Sequence, residues 1–400
     1  MAADESVRSE VGRIAPVEGL RGIAVLWVIV FHCSVLRPND PWVLAIKASP
    51  LEPLVRNGYL GVDLFFLISG FLLAMPWFVH SDAGRDSPSM KSFYARRFWR
   101  IAPAYYVQLA FLFLVAIPAL RGYDYWRHDK WVFLYNFFAH VTFLHNTTPL
   151  SSGSMAVNGA LWTLSVEAQF YVLLPLVIPL FVRRPWFAFA VSIVAAQLWR
   201  IGARDGLVPL VQAELAFGSI WSWPEGVVRY LMAHQLPSYF GHFGAGILLG
   251  RMWLWWRDSL RGAWWIDAVL AAAFVLLYYA LAVDGEMLGD MSWSIHLVSL
   301  AALMFWAVMR PGKLTMNLLG RGPLASAGRI SYSAYLYHLP LLLIANEYLA
   351  DAPAWAVIPV YLVATFAVSW LSWKYVEQPF LRRYVREREP TARAVPIANT

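Results

Sequence analysis

Arg21 and His32 stand eleven residues apart in one apolar run, from Glu18-Gly-Leu-Arg21 to Val-Ile-Val-Phe-His32. Eleven residues make about three helical turns, so both side chains leave one face of a helix, about 16 Å apart along its axis. Two carboxylates, Asp63 and Glu167, sit in other apolar runs, and both read as lying near the depth of His32. A charged side chain inside a membrane span costs about 2.5–3.5 kcal/mol on insertion scales, so each one needs a reason. An imidazole takes a proton near neutral pH, and a carboxylate beside it holds the tautomer and stabilises the imidazolium. His32 with Asp63 or Glu167 therefore suits general-base chemistry. The plain alternative is a hydrogen-bond network joining helices. For any one residue that alternative has the edge; for the converging set, function does.

Arg96, Arg97 and Arg100 fall within little more than one helical turn. Guanidinium groups placed so can clamp phosphates in bidentate fashion, or simply touch anionic lipid headgroups. Composition alone favours the lipid reading. Ser69 follows Asp63 along its run, and Ser331-Tyr-Ser-Ala-Tyr335-Leu-Tyr-His338 brings hydroxyls and a second imidazole to a later one. His140 and His145 lack a nearby carboxylate and read as interfacial residues rather than metal ligands, so no metal site is expected. Gly241, Gly244, Gly246 and Gly250 read as close helix packing. A phosphate clamp at one end and a base at the other suit a long bipolar donor. Coenzyme A fits: a phosphorylated nucleotide, then a narrow arm ending in a thioester. Acyl-CoA is thus the expected donor substrate, with no permanently bound cofactor.

These residues need a membrane around them. The chain has 400 residues, 59% of them hydrophobic and only 14% charged, with a mean hydropathy of +0.51. A soluble domain carries about 25% charged residues, so a polytopic membrane protein is expected. The net charge of +7 does not imply nucleic acid, because a basic excess gathers in cytoplasmic loops. The single cysteine, Cys33, excludes an internal disulfide. Apolar stretches long enough to span occur at 22–36, 58–80, 101–120, 160–182, 185–201, 236–256, 264–283, 291–309, 331–349 and 354–376. The stretch 131–145 is short for a crossing. With 131–145 left out, one set of loops holds 22 Lys and Arg and the opposite set 9. The positive-inside rule then predicts ten spans with both termini cytoplasmic, and 131–145 re-entrant or interfacial. The expected fold is an all-α polytopic transmembrane helix bundle, one domain over 1–381 with a basic cytoplasmic tail at 382–400. Glu377-Gln-Pro379 is expected to end the last span, since proline stops a helix.

Six ordered motifs resemble the acyltransferase-3 family of integral membrane O-acyltransferases, nearly end to end. They are Arg21-x10-His32; Gly61-Val-Asp63 through Ser69-Gly70-Phe71; Arg96-Arg97-x-x-Arg100-Ile-x-Pro103; Leu161-Trp-Thr-Leu-Ser-Val-Glu167; Ser331 through His338; and Val376-Glu377-Gln-Pro379. The resemblance implies transfer of an acyl group, acetyl foremost, from acyl-CoA to a hydroxyl of a carbohydrate or glycosylated natural product at a bacterial inner membrane. It carries His32 over as catalytic, and Asp63 and Glu167, which match motif positions, complete the expected catalytic set, one or the other holding His32. It makes Arg21, Arg96, Arg97, Arg100, Ser69, Tyr335 and His338 acyl-CoA-binding residues, which turns the arginine cluster from lipid contact to donor site. It also implies a stand-alone form without the fused extracytoplasmic domain of many members. The rival reading is a transporter or flippase of an anionic lipid-linked molecule, although no inverted repeat is evident.

Overall fold

In the computed structural model the described residues are 14–122, 130–152, 157–206, 208–209, 224–260, 265–283, 291–309 and 315–381. The expected tail at 382–400 lies outside them. Among the described residues the bundle is built by α1 Pro16–Leu36, α2 Leu60–Asp82, α3 Met90–Phe111, α4 Lys130–Val141, α5 Trp162–Arg183, α6 Pro185–Ile201, α7 Phe240–Trp256, α8 Trp265–Ala282, α9 Met291–Met309, α10 Pro323–Arg329, α11 Ser331–Tyr348 and α12 Ala354–Ser372. Short helices at Pro41–Lys47, Glu52–Arg56 and Glu225–Ala233 decorate its ends. There is no strand among the described residues. The protein is an all-α, multi-pass membrane bundle.

Among the described residues, eight helical stretches are long and apolar enough to cross a membrane: 16–36, 60–82, 90–121, 159–183, 185–204, 265–282, 292–309 and 354–381. Leu114, Val172, Leu176, Leu198 and Val363 stand exposed on them, as a surface against hydrocarbon requires. The two other expected spans are present as α7 and α11, and they occupy the interior. Gly241 through Gly250 of α7 are all buried, as is Ser333 through Pro340 of α11. A helix surrounded by protein need not be apolar all round, so α11 can carry Ser331, Ser333, Tyr335 and His338.

Close backbone approach sets how these helices register. A Cβ on Gly61 would lie 2.4 Å from the Ala24 carbonyl oxygen, and one on Gly246 would lie 2.0 Å from that of Leu67. The first contact seats α2 on α1; the second seats α7 on α2. At the far end of the bundle, the last span continues through a π turn, Trp373–Glu377, to Leu381. Proline does not end it there: the π turn precedes Pro379, whose ring then fits the start of a new helical turn.

Helix α4 has twelve residues, about 18 Å, too short for a hydrocarbon core of about 30 Å. It docks into the bundle instead. Tyr105 Oη donates to the His140 carbonyl at 3.0 Å, and Ser165 Oγ to that of Phe143 at 2.6 Å. Phe143 holds a φ of 59°, where the segment reverses.

Candidate active site

Helices α1, α2, α3, α5 and α11 enclose a cavity of about 130 Å³. Arg21, Arg97 and Arg100 line it, facing Ser69, Glu167 and Tyr335. Arg21 comes from the second turn of α1, and the other two arginines from the second and third turns of α3. Glu167 accepts from Ser69 Oγ at 3.3 Å and from Tyr171 Oη at 2.5 Å. Arg21 pairs with Glu18 at 3.5 Å. Arg97 Nε and Ser331 Oγ are buried without a hydrogen-bond partner. With three guanidinium groups and one carboxylate on its wall, the cavity is built to receive negative charge. Arg96 is not part of it: its Nη1 donates to Ser92 Oγ at 3.0 Å on the same helix. The expected triplet is therefore a pair, Arg97 and Arg100, joined by Arg21.

Tyr335 lines the cavity on its side toward His338. Its hydroxyl donates to the Ala160 carbonyl at 3.0 Å and accepts from Thr163 Oγ1 at 3.0 Å. Beyond it the rings continue, with Tyr335 and His338 centroids 5.4 Å apart and those of His338 and His32 5.0 Å apart. His32 Nδ1 lies 2.9 Å from the Val28 carbonyl oxygen and 3.3 Å from His338 Nε2. His338, assigned from sequence to the donor, thus stands against His32 rather than in the arginine cavity. It stands seven residues along α11 from the helix start, about 10 Å of rise, which lifts it to the other end.

The two carboxylates do not join His32. Neither is a hydrogen-bond partner of its ring, and the common depth expected for the three fails. Gly61 meets Ala24 and Val28 where α2 runs antiparallel to α1, so Asp63 lies about 12 Å below His32 along the helix. Glu167 meets Ser69, deeper still, at the level of the arginines. Asp63 instead faces α7, with Oδ2 3.4 Å from His242 Nε2.

The acyltransferase domain of the acyltransferase-3 family matches residues 14–374. The chain belongs to that family. It is 29% identical over 343 residues to nodulation protein 10 of Rhizobium leguminosarum bv. viciae, covering 80% of this chain and 82% of that one. It is 22% identical over 395 residues to the peptidoglycan O-acetyltransferase OatA of Listeria monocytogenes serovar 1/2a, covering 92% of this chain and 55% of that one. It thus spans about half the length of that second relative. No solved structure matches it.

This acyltransferase-3 chain also holds polar groups that sequence reasoning did not place. His242 is fully buried, its ring 5.3 Å from that of Trp293, and the Arg200 guanidinium lies 5.2 Å over the same indole. Trp293 Nε1 and His242 Nδ1 are buried without a hydrogen-bond partner, and His242 Nε2 has the Asp63 carboxylate beside it at 3.4 Å. The sequence carries a signal for it: an imidazole inside the apolar run 236–256 asks for a role beyond the close packing its glycines explain.

His140 and His145 are enclosed by protein. Both are fully buried, stacked with centroids 4.4 Å apart, and their ring N–H groups donate to the Asn136 and Leu161 carbonyls at 2.7 Å each. Burial pulls His140 down to about 4 and His145 to about 3, so the pair is neutral at physiological pH and pins α4 to the start of α5. Among the described residues no cluster of three or more His, Cys, Asp or Glu could hold a metal ion.

Proposed function

We propose that this protein moves an acyl group, acetyl foremost, from acyl-CoA to a hydroxyl of a carbohydrate or glycosylated natural product. The observation that carries this reading is the layout of α1, which puts Arg21 in an arginine-lined cavity and His32 beyond the cavity's far end. The relative named a peptidoglycan O-acetyltransferase supports the acetyl group and a carbohydrate acceptor. The arginine end faces the cytoplasm, where acyl-CoA is made; both termini lie on that side, and the host bilayer is a bacterial inner membrane.

Arg97 and Arg100, with Arg21, hold a phosphate of the donor. At about 130 Å³ the cavity is well below the roughly 300–1,000 Å³ of sites that enclose whole ligands. It takes one phosphate and the narrow arm, and the nucleotide rests outside it. The thioester then reaches past Tyr335 to His32. A carbonyl oxygen can only accept, so the His32 Nδ1 facing Val28 carries hydrogen, and Nε2 is the basic nitrogen. Nε2 takes the acceptor hydroxyl's proton as that oxygen attacks the thioester carbonyl. The carbon–sulfur bond breaks, the thiolate leaves, and the imidazolium returns the proton to sulfur. The products are an O-ester and free CoA thiol, with no net proton change.

The test uses purified protein in lipid with acetyl-CoA and candidate acceptors, following thiol release and ester formation together. The expected result is one thiol per ester formed. A transporter of an anionic lipid-linked molecule would move its cargo with no thiol released.

A further inference from the structure

We propose that His338 is a positioning residue, the group that holds the His32 ring in its working orientation where a carboxylate was expected. The inference rests on the reading of His32 as the base. His338 Nδ1 lies 2.7 Å from the Tyr335 carbonyl oxygen, three residues back on its own helix. That nitrogen therefore bears the hydrogen, and the Nε2 of the neutral ring is a lone pair. The lone pair sits 3.3 Å from His32 Nδ1, which is also 2.9 Å from the Val28 carbonyl. Two acceptors converge on one nitrogen, and only the Nδ1–H form of His32 satisfies either. The lone pair left on His32 Nε2 is then the one free to take a proton.

The two acceptors do different work. Val28 is one turn back on α1, so its carbonyl follows His32 wherever α1 moves. His338 belongs to α11, and its approach holds the His32 ring plane relative to the bundle, with the two rings tilted by 60°. Helix α11 is itself pinned from three sides. Tyr332 Oη donates to the Ile101 carbonyl at 2.9 Å, Asn158 Nδ2 to that of Leu336 at 3.0 Å, and Ser333 Oγ bonds Ser372 and Glu377. His338 is fully buried on this support. When His32 takes the acceptor proton, its charge spreads to Nδ1–H and strengthens the bond to His338. A neutral partner does this without placing another costly anion in the membrane.

Steady-state kinetics of purified His338→Leu, His338→Gln and His32→Ala separate the outcomes. Leucine removes the acceptor, whereas the glutamine amide oxygen can take the place of Nε2. His338→Leu is expected to lower kcat by about 10–100-fold, as loss of a histidine's orienting partner does elsewhere, with the acetyl-CoA KM unchanged. His338→Gln should recover kcat to within about fivefold of wild type, the span of one ordinary hydrogen bond. If the leucine protein fails to fold, His338→Asn, too short to reach His32, replaces it in the comparison. Wild-type kcat in His338→Leu, a change confined to KM, or equal losses in the leucine and glutamine proteins would each overturn the positioning role. Full activity in His32→Ala would instead sink the base itself, so the two failures are told apart.

Discussion

His32→Ala is expected to lower kcat for acyl transfer by about 10²–10⁴-fold, the usual contribution of a positioned general base. The ring has no carboxylate partner, so its removal leaves no buried anion unpaired; what is lost at Val28 is a second donor to a carbonyl that α1 already uses. Folding and insertion should therefore survive, and the loss should appear in kcat rather than in donor KM. His32→Gln offers hydrogen bonds but no basic nitrogen, and should be as inactive as alanine. Activity of either variant within about tenfold of wild type would remove His32 from the chemistry, since it lies below the smallest effect expected of a base.

The second large effect belongs to the arginine cavity. Hydrogen bonds to charged groups contribute about 1.5–3 kcal/mol, which is about 10–150-fold in binding. Arg97→Ala and Arg100→Ala are each expected to raise the acetyl-CoA KM by that factor with a smaller effect on kcat. Lysine should restore only part of it, because a point charge lacks the planar fork that grips two phosphate oxygens. Arg96→Ala is the internal contrast, since this side chain turns back to Ser92 outside the cavity and its loss should leave KM within about threefold. Equal effects at all three positions, each vanishing in high salt, would point to general surface attraction rather than a site.

What the sequence revealed and what it hid divide along a physical line. Each span is a local property, so the apolar runs appear as helices, and the short 131–145 stretch appears as a twelve-residue helix that docks without crossing. The pairing of Arg21 with His32 on one helix is local too, fixed by 3.6 residues per turn. Relative depth between helices is not local. It depends on where two backbones touch, and here Gly61 against Ala24 lowers Asp63 by about two turns from the expected level. Glu167 moves to the arginines for the same kind of reason, through Ser69. The neighbour of His338 is not local either, because it depends on which residues of α1 lie opposite α11. Only packing brings His338 to 3.3 Å from His32. His242 is hidden among Gly241, Gly244, Gly246 and Gly250, whose spacing accounts for its run by close packing alone.

Proteoliposomes in which all molecules face one way test the central claim, that donor enters at the arginine end and its acyl group emerges at His32. Acetyl-CoA is supplied on one side only, and a carbohydrate acceptor on the other. Ester on the acceptor is expected only when the acetyl-CoA is on the side of Arg97 and Arg100. Equal transfer with the donor on the His32 side would contradict the account.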